Sequence, residues 1–156
     1  MPPDPGLRES PLSSSLPGTW RLVSRIDVTA GGERRPEPSL GEDPIALLIY
    51  DRAGHFSAQF MKRDRVASAP ETAPSPAAPN NTRAMGGYDA YFGTYVVDDA
   101  RGEVTQHLQG ALSPPNVGQT VTRAMSIAGG ELTIRLETRS ADGEQVVRTL
   151  VWRRVG

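Results

Sequence analysis

Thr120-Val121-Thr122-Arg123-Ala124-Met125-Ser126-Ile127 is followed by Ala128-Gly129-Gly130 and then by Glu131-Leu132-Thr133-Ile134-Arg135-Leu136-Glu137-Thr138-Arg139. Both flanks alternate apolar and polar residues with a period of two. That is the repeat of a half-buried strand; an amphipathic helix needs apolar residues three and four apart. The glycine pair between them suits a tight turn. Residues 120–139 therefore predict an antiparallel hairpin.

The same pattern extends in both directions. Thr19 to Val28 alternates, with Trp20, Leu22, Ser24, Ile26 and Val28 on one face and Arg21, Val23, Arg25 and Asp27 on the other. Ile45–Tyr50, the turn Asp51-Arg52-Ala53-Gly54 and His55–Lys62 form a second predicted hairpin. Tyr91–Asp98, Asp99-Ala100-Arg101-Gly102 and Glu103–Gln109 form a third, and Ser140-Ala141-Asp142-Gly143 leads into a last strand, Glu144–Arg154. Eight sequential antiparallel strands predict an all-β, up-and-down barrel, because closure removes the exposed edges of an open meander. A two-sheet sandwich is the competing architecture.

The 14 prolines divide the chain. Proline has no N–H for a sheet ladder and breaks helix interiors, so its clusters mark tail, loop and turn. Residues 1–16 are expected to be a flexible Pro- and Ser-rich tail, and 17–156 the barrel domain. Residues 63–83 form a long Ala-, Pro-, Ser- and Asn-rich loop, read either as an unstructured insertion or as a flap over a cavity mouth. Thr82–Asp89 is the one segment expected to make a helical turn.

Composition narrows the chemistry. The 156 residues can bury a core without disulfides, and the absence of cysteine excludes thiolate metal sites and cysteine nucleophiles. Lys and Arg number 17 against 18 Asp and Glu, a net charge of -1, which argues against a nucleic-acid partner. No apolar run reaches the ~20 residues of a membrane helix. No secretory leader, P-loop, Gly-x-Ser-x-Gly or dinucleotide fingerprint is seen. The expectation is a cytoplasmic monomer or homodimer with no cofactor and no metal.

Period-two patterning also nominates a site. On the sixth strand Arg123 shares a row with Val121, Met125 and Ile127; on the eighth, Arg148 shares one with Val146, Leu150 and Trp152; on the fifth, Gln106 lies between Val104 and Leu108. A charge in an apolar inward row must be solvated or paired. The arginines either reach a rim or pair with an acid such as Glu103 or Glu137, or they face a wet cavity as donors to a ligand carbonyl or carboxylate. His107, Arg123 and Tyr95 are the catalytic candidates. Tyr50, His55, Ser57, Gln59, Tyr91, Gln106, Met125, Arg148 and Trp152 are the candidate ligand contacts. The histidines are nominated because they titrate near neutrality, and the tyrosines because they stack and donate.

Gly18-Thr19-Trp20-Arg21-Leu22-Val23-Ser24, Leu47-Leu48-Ile49-Tyr50, Gly54-His55-Phe56-Ser57-Ala58-Gln59, Tyr91–Asp98, Val104-Thr105-Gln106-His107 and Leu150-Val151-Trp152-Arg153-Arg154 occur in an order that resembles the bacterial and fungal lipocalin-like domain family. The resemblance implies a lipocalin-like barrel holding a small hydrophobic molecule. It further implies a structural pair at the closed end, Trp20 with a basic residue of the last strand, Arg153 or its neighbour Arg154. By analogy with small barrels of polyketide pathways, the expected activity is a cofactor-free, pericyclase-like cyclase or isomerase of secondary metabolism. The alternatives are a non-catalytic carrier and a barrel filled by its own side chains.

Overall fold

The computed structural model describes residues 10–65, 75, 78 and 80–156. A single turn of helix, α1 (Leu12–Ser15), precedes nine strands: β1 (Gly18–Thr29), β2 (Arg34–Arg35), β3 (Ile45–Tyr50), β4 (His55–Met61), β5 (Tyr88–Asp98), β6 (Glu103–Ala111), β7 (Thr120–Ala128), β8 (Glu131–Arg139) and β9 (Gln145–Arg154). Apart from β2, which adds only two residues beside the far end of β1, each strand pairs antiparallel with the next, and β1 also pairs with β9. The eight long strands thus close into an up-and-down barrel, and no sandwich forms. Among the described residues no helix is long and apolar enough to cross a membrane.

Alternation builds the core. On β8, Leu132, Ile134, Leu136 and Thr138 are buried and Glu131, Arg135, Glu137 and Arg139 are exposed. Ala46, Leu48 and Tyr50 of β3 and Phe56, Ala58 and Phe60 of β4 face the same interior. Fully burying one large apolar side chain contributes about 1.5–3 kcal/mol. A one-residue slip of any strand would turn its whole set outward, so the pattern also fixes the register.

One strand breaks its own alternation. In the β1–β9 ladder Leu22 faces Trp152 but Ser24 faces Val151, leaving Val23 as an extra residue. This β-bulge reverses the faces beyond it. Trp20 points inward as expected, but Ser24, Ile26 and Val28 do not continue the inward row. Arg25 and Asp27 take it instead; Asp27 is buried, and the side chain of Arg25 is 7% exposed.

Two other expectations are corrected. Thr82–Asp89 makes no helical turn. Met85 and Tyr88 bridge each other, with Gly86 and Gly87 at φ 58° and 74°, and β5 begins at Tyr88. Two left-handed glycines suit a tight reversal and disfavour a helix. Residues 10–16, placed by the sequence in a tail, pack against the barrel: Leu16 is fully buried and accepts a 3.0 Å hydrogen bond from Trp20 Nε1. Residues 1–9, and 66–74, 76, 77 and 79 of the long loop, lie outside the described residues.

The cation on Trp20 is Arg154, its Cζ 4.2 Å from the ring centroid, and not Arg153. Alternation decides this. Trp152 faces inward, so Arg153 faces solvent and Arg154 returns to the tryptophan, where it also donates to the carbonyls of Pro17 and Ser15. This end of the barrel is plugged. At the opposite end Ser39 and Leu40, from the β2–β3 connection, and Ser75 and Ala84, from the β4–β5 connection, are buried across the mouth.

Candidate functional site

Under that cover lies a cavity of about 50 Å³. Water in a cavity takes roughly 10–15 Å³ on this measure, so there is space for about four waters or the head of a small molecule. Leu48, Phe60, Ile134, Leu136, Leu150 and Trp152 supply apolar walls. Among them stand Arg25, Arg123 and Arg148, with Asp89, Gln106, Tyr50, Tyr91 and Thr82. Apolar walls with a few convergent polar groups characterise small-molecule sites.

The three arginines are in different electrostatic situations. Arg148 Nε and Nη2 donate to Asp27 Oδ1 and Oδ2 at 2.8 and 3.0 Å, a two-point ion pair between β9 and β1. Arg25 Nη1 donates to Glu37 Oε2 at 3.0 Å. Burial alone would raise the Glu37 carboxyl; Arg25, the Ser39 hydroxyl and the Leu40 amide outweigh it and hold the group below its usual range. Arg123 has no carboxylate partner among the described residues. Its Nη1 donates to the Asn80 and Thr122 carbonyls at 2.7 and 3.1 Å, and its Nε and Nη2 donate to none of the described groups. It is only 5% exposed. Burial, opposed by the nearby tyrosines Tyr91 and Tyr50, lowers its pKa.

Tyr50 and Tyr91 flank this cation. Tyr50 donates to Gln106 Oε1, and burial raises its pKa well above the ordinary value. Tyr91 is pushed up to about 12, mainly by burial and then by Asp89. Both phenols therefore remain protonated near neutrality. Two buried polar atoms of the lining residues have no partner among the described residues: Asp89 Oδ1, an acceptor, and Trp152 Nε1, a donor. An unsatisfied buried polar atom costs about 1–3 kcal/mol, so each is a place where a ligand or water would be held.

The sequence candidates divide between the two faces of the wall. Tyr50, Tyr91, Gln106, Arg123, Arg148 and Trp152 are brought together around the cavity. Met125 is buried lower in the same row and lies outside the cavity lining. His55, Ser57 and Gln59 alternate with the buried Phe56, Ala58 and Phe60 and so face outward. His55 instead pairs with Asp51, 3.3 Å away. His107 lies between the buried Gln106 and Leu108 and also faces outward, 3.4 Å from Thr120 Oγ1. Tyr95 stacks edge-on against Tyr50, but its hydroxyl donates to the Asp51 carbonyl at a turn.

Sequence reasoning missed Arg25, Asp27, Glu37, Thr82 and Asp89. The bulge at Val23 hid the first two, and the expected helical turn hid Thr82 and Asp89. One signal was present: an inward Arg148 needs an acid, and Asp27 is its partner across the ladder.

A closed antiparallel barrel, plugged at one end and holding a polar cluster in an apolar lumen, defines a protein of small-molecule-binding architecture. The family described as the lipocalin-like domain has a model that matches residues 17–155, and the chain belongs to that family. No curated protein matches the chain in sequence.

Proposed function

We propose that the barrel binds a small, mostly apolar metabolite by one carbonyl or carboxylate oxygen set against Arg123, and acts on it without a cofactor as a cyclase or isomerase. The observation that carries this reading is a buried guanidinium with no carboxylate partner among the described residues. Holding a cation in a low-dielectric lumen without a counter-ion costs several kcal/mol. An anionic or strongly polarised oxygen on the free Nε and Nη2 offsets that cost. The same donors, fixed before the ligand arrives, stabilise charge that develops on an oxygen during reaction. The apolar walls restrict a flexible chain to few conformers, which lowers the barrier to ring closure.

A non-catalytic carrier of the same ligand class is the second reading. One observation favours it: neither histidine of the chain reaches the lumen.

The test of binding uses hexanoate and hexanol, titrated against the fluorescence of Trp152, with Trp20 replaced by Phe to remove the second indole. The expected result is tighter binding of hexanoate than of hexanol, with the difference erased in Arg123→Met. Equal affinities for the two probes in the Arg123 protein would overturn the reading. Native mass spectrometry of freshly purified protein adds the identity of any retained metabolite. A carrier would show graded affinity loss on substitution and no turnover of that metabolite.

A further inference from the structure

Among the described residues three carboxyl groups lie in or beside the lumen, and they are not equivalent. Asp27 is committed to Arg148 and Glu37 to Arg25. Asp89 has no ion-pair partner among the described residues, although it is only 3% exposed and lines the cavity. Its Oδ2 accepts a 2.7 Å hydrogen bond from the Thr82 hydroxyl, and its Oδ1 accepts none from the described residues. It stands two residues before Tyr91 on β5, so both side chains face inward, and Tyr91 is close enough to feel both Asp89 and Arg123. One side of the lumen therefore carries an uncommitted carboxyl group and another an uncommitted cation.

We propose that Asp89 is the proton-transferring residue of this site and that its substrate is a small β,γ-unsaturated ketone, which it isomerises to the conjugated α,β-unsaturated ketone. The proposal rests on the reading of Arg123 given above. The Asp89 carboxylate takes the proton from the α carbon. The electron pair of that C–H bond forms the α-carbon–carbonyl-carbon double bond of a dienolate, and the carbonyl electrons move onto oxygen, facing Arg123. Asp89 then returns the same proton to the γ carbon, the carbonyl re-forms, and the carbon–carbon double bond has shifted by one position. Atoms and electrons balance without an oxidant, a reductant or water.

The surroundings suit a base that must also act as an acid. Burial raises the Asp89 carboxyl above its ordinary range, against the Thr82 hydroxyl, the Ala90 amide and the charges of Arg25 and Arg148. Arg25 faces it from β1, Arg148 from β9 and Tyr91 from its own strand, while its ladder neighbour on β4 is the apolar Phe60. A carboxyl group moved toward neutrality serves proton transfer better than one at its ordinary value.

The experiment uses 3-cyclopentenone, a compact β,γ-unsaturated ketone of six heavy atoms, and follows the conjugated product by ultraviolet absorbance while ligand-observed NMR reports binding. The expected result is catalysed isomerisation by the intact chain, falling by about 100-fold or more in Asp89→Asn with binding retained. Thr82→Val removes a hydrogen bond to the carboxylate, so the rise of rate with pH should move to higher pH, a shift that a structural role for Asp89 would not produce. Binding without catalysed isomerisation, or an active Asp89→Asn, overturns the proposal and leaves the Arg123 reading standing. Failure of the probe to bind the intact chain overturns both.

Discussion

Arg148 and Asp27 face each other across the β1–β9 ladder and join by two hydrogen bonds inside the barrel, at 2.8 and 3.0 Å. The pair exists only because Val23 is bulged out of β1; in an unbroken strand Asp27 would face solvent. Removing one partner of a buried ion pair leaves the other uncompensated and costs about 3–5 kcal/mol. Asp27→Asn is expected to lose that much in urea unfolding. The double variant Asp27→Asn with Arg148→Met should recover a large part of it.

Arg123 should behave in the opposite way. Among the described residues it has no acid to strand, and its removal relieves the desolvation of a buried cation. Arg123→Met is expected to leave stability unchanged or to raise it, by up to a few kcal/mol, while abolishing the preference for carboxylate ligands. Thermal unfolding beside ligand titration checks both halves. A loss as large as that for Asp27 would mean that the guanidinium is structural.

The two perturbed acids, Glu37 beside the lumen and Asp89 within it, act on stability with opposite signs. Glu37 is held below its unfolded value, so its contribution is full above the ordinary carboxylate range of about 4.3 and is lost as pH falls through the lower folded value. Glu37→Gln should therefore flatten the acid side of the stability profile. Asp89 is raised, mainly by burial, so ionising it opposes folding. Stability linked to Asp89 is full below the unfolded value of about 3.9 and declines as pH rises through the higher folded value. Asp89→Asn should thus raise the urea midpoint at neutral pH, even as it removes turnover. Urea melts of both variants between acid and neutral pH decide the signs.

The closed end offers a test on two adjacent residues. Arg154 lies over Trp20 and donates to two carbonyls, whereas Arg153 is exposed. The stacking alone contributes about 0.5–2 kcal/mol. Arg154→Ala should lower stability by at least that amount in urea unfolding, and Arg153→Ala by no more than about 0.5 kcal/mol. Equal losses would mean that alternation on β9 does not decide which arginine closes the barrel.

The strands were legible because the sequence alternates wherever one face is buried. Leu132, Ile134 and Leu136 on β8, and Val121 and Arg123 on β7, lie as their pattern predicts. Outward-facing His55 and His107 were nominated on chemistry, although their rows, Ser57 with Gln59 and Thr105 with Gln109, already read as polar faces. What remained hidden depends on a single inserted residue or on the covering segments. Val23 carries no composition signal for a bulge, yet it moves Arg25 and Asp27 into the lumen. Leu12 and Leu16, one helical turn apart, were a faint sign that the chain before β1 packs. They were masked by the surrounding serines and prolines.

The ladder between β7 and β8 ends at Ala124 and Arg135, so the first residues of β7 and the last of β8 are not zipped to each other. Two amide side chains stitch that seam. Asn80 bonds the Thr122 N–H and carbonyl, and Asn81 donates to Thr138. Asn80 adopts φ 56°, a conformation asparagine tolerates better than most side chains. Undoing those stitches sacrifices only a few side-chain bonds, each worth about 0.5–1.5 kcal/mol, and no rung of the main-chain ladder. The flank beside Arg123 is thus held partly by side chains where the main-chain ladder stops, and a guest passing there would meet that guanidinium first.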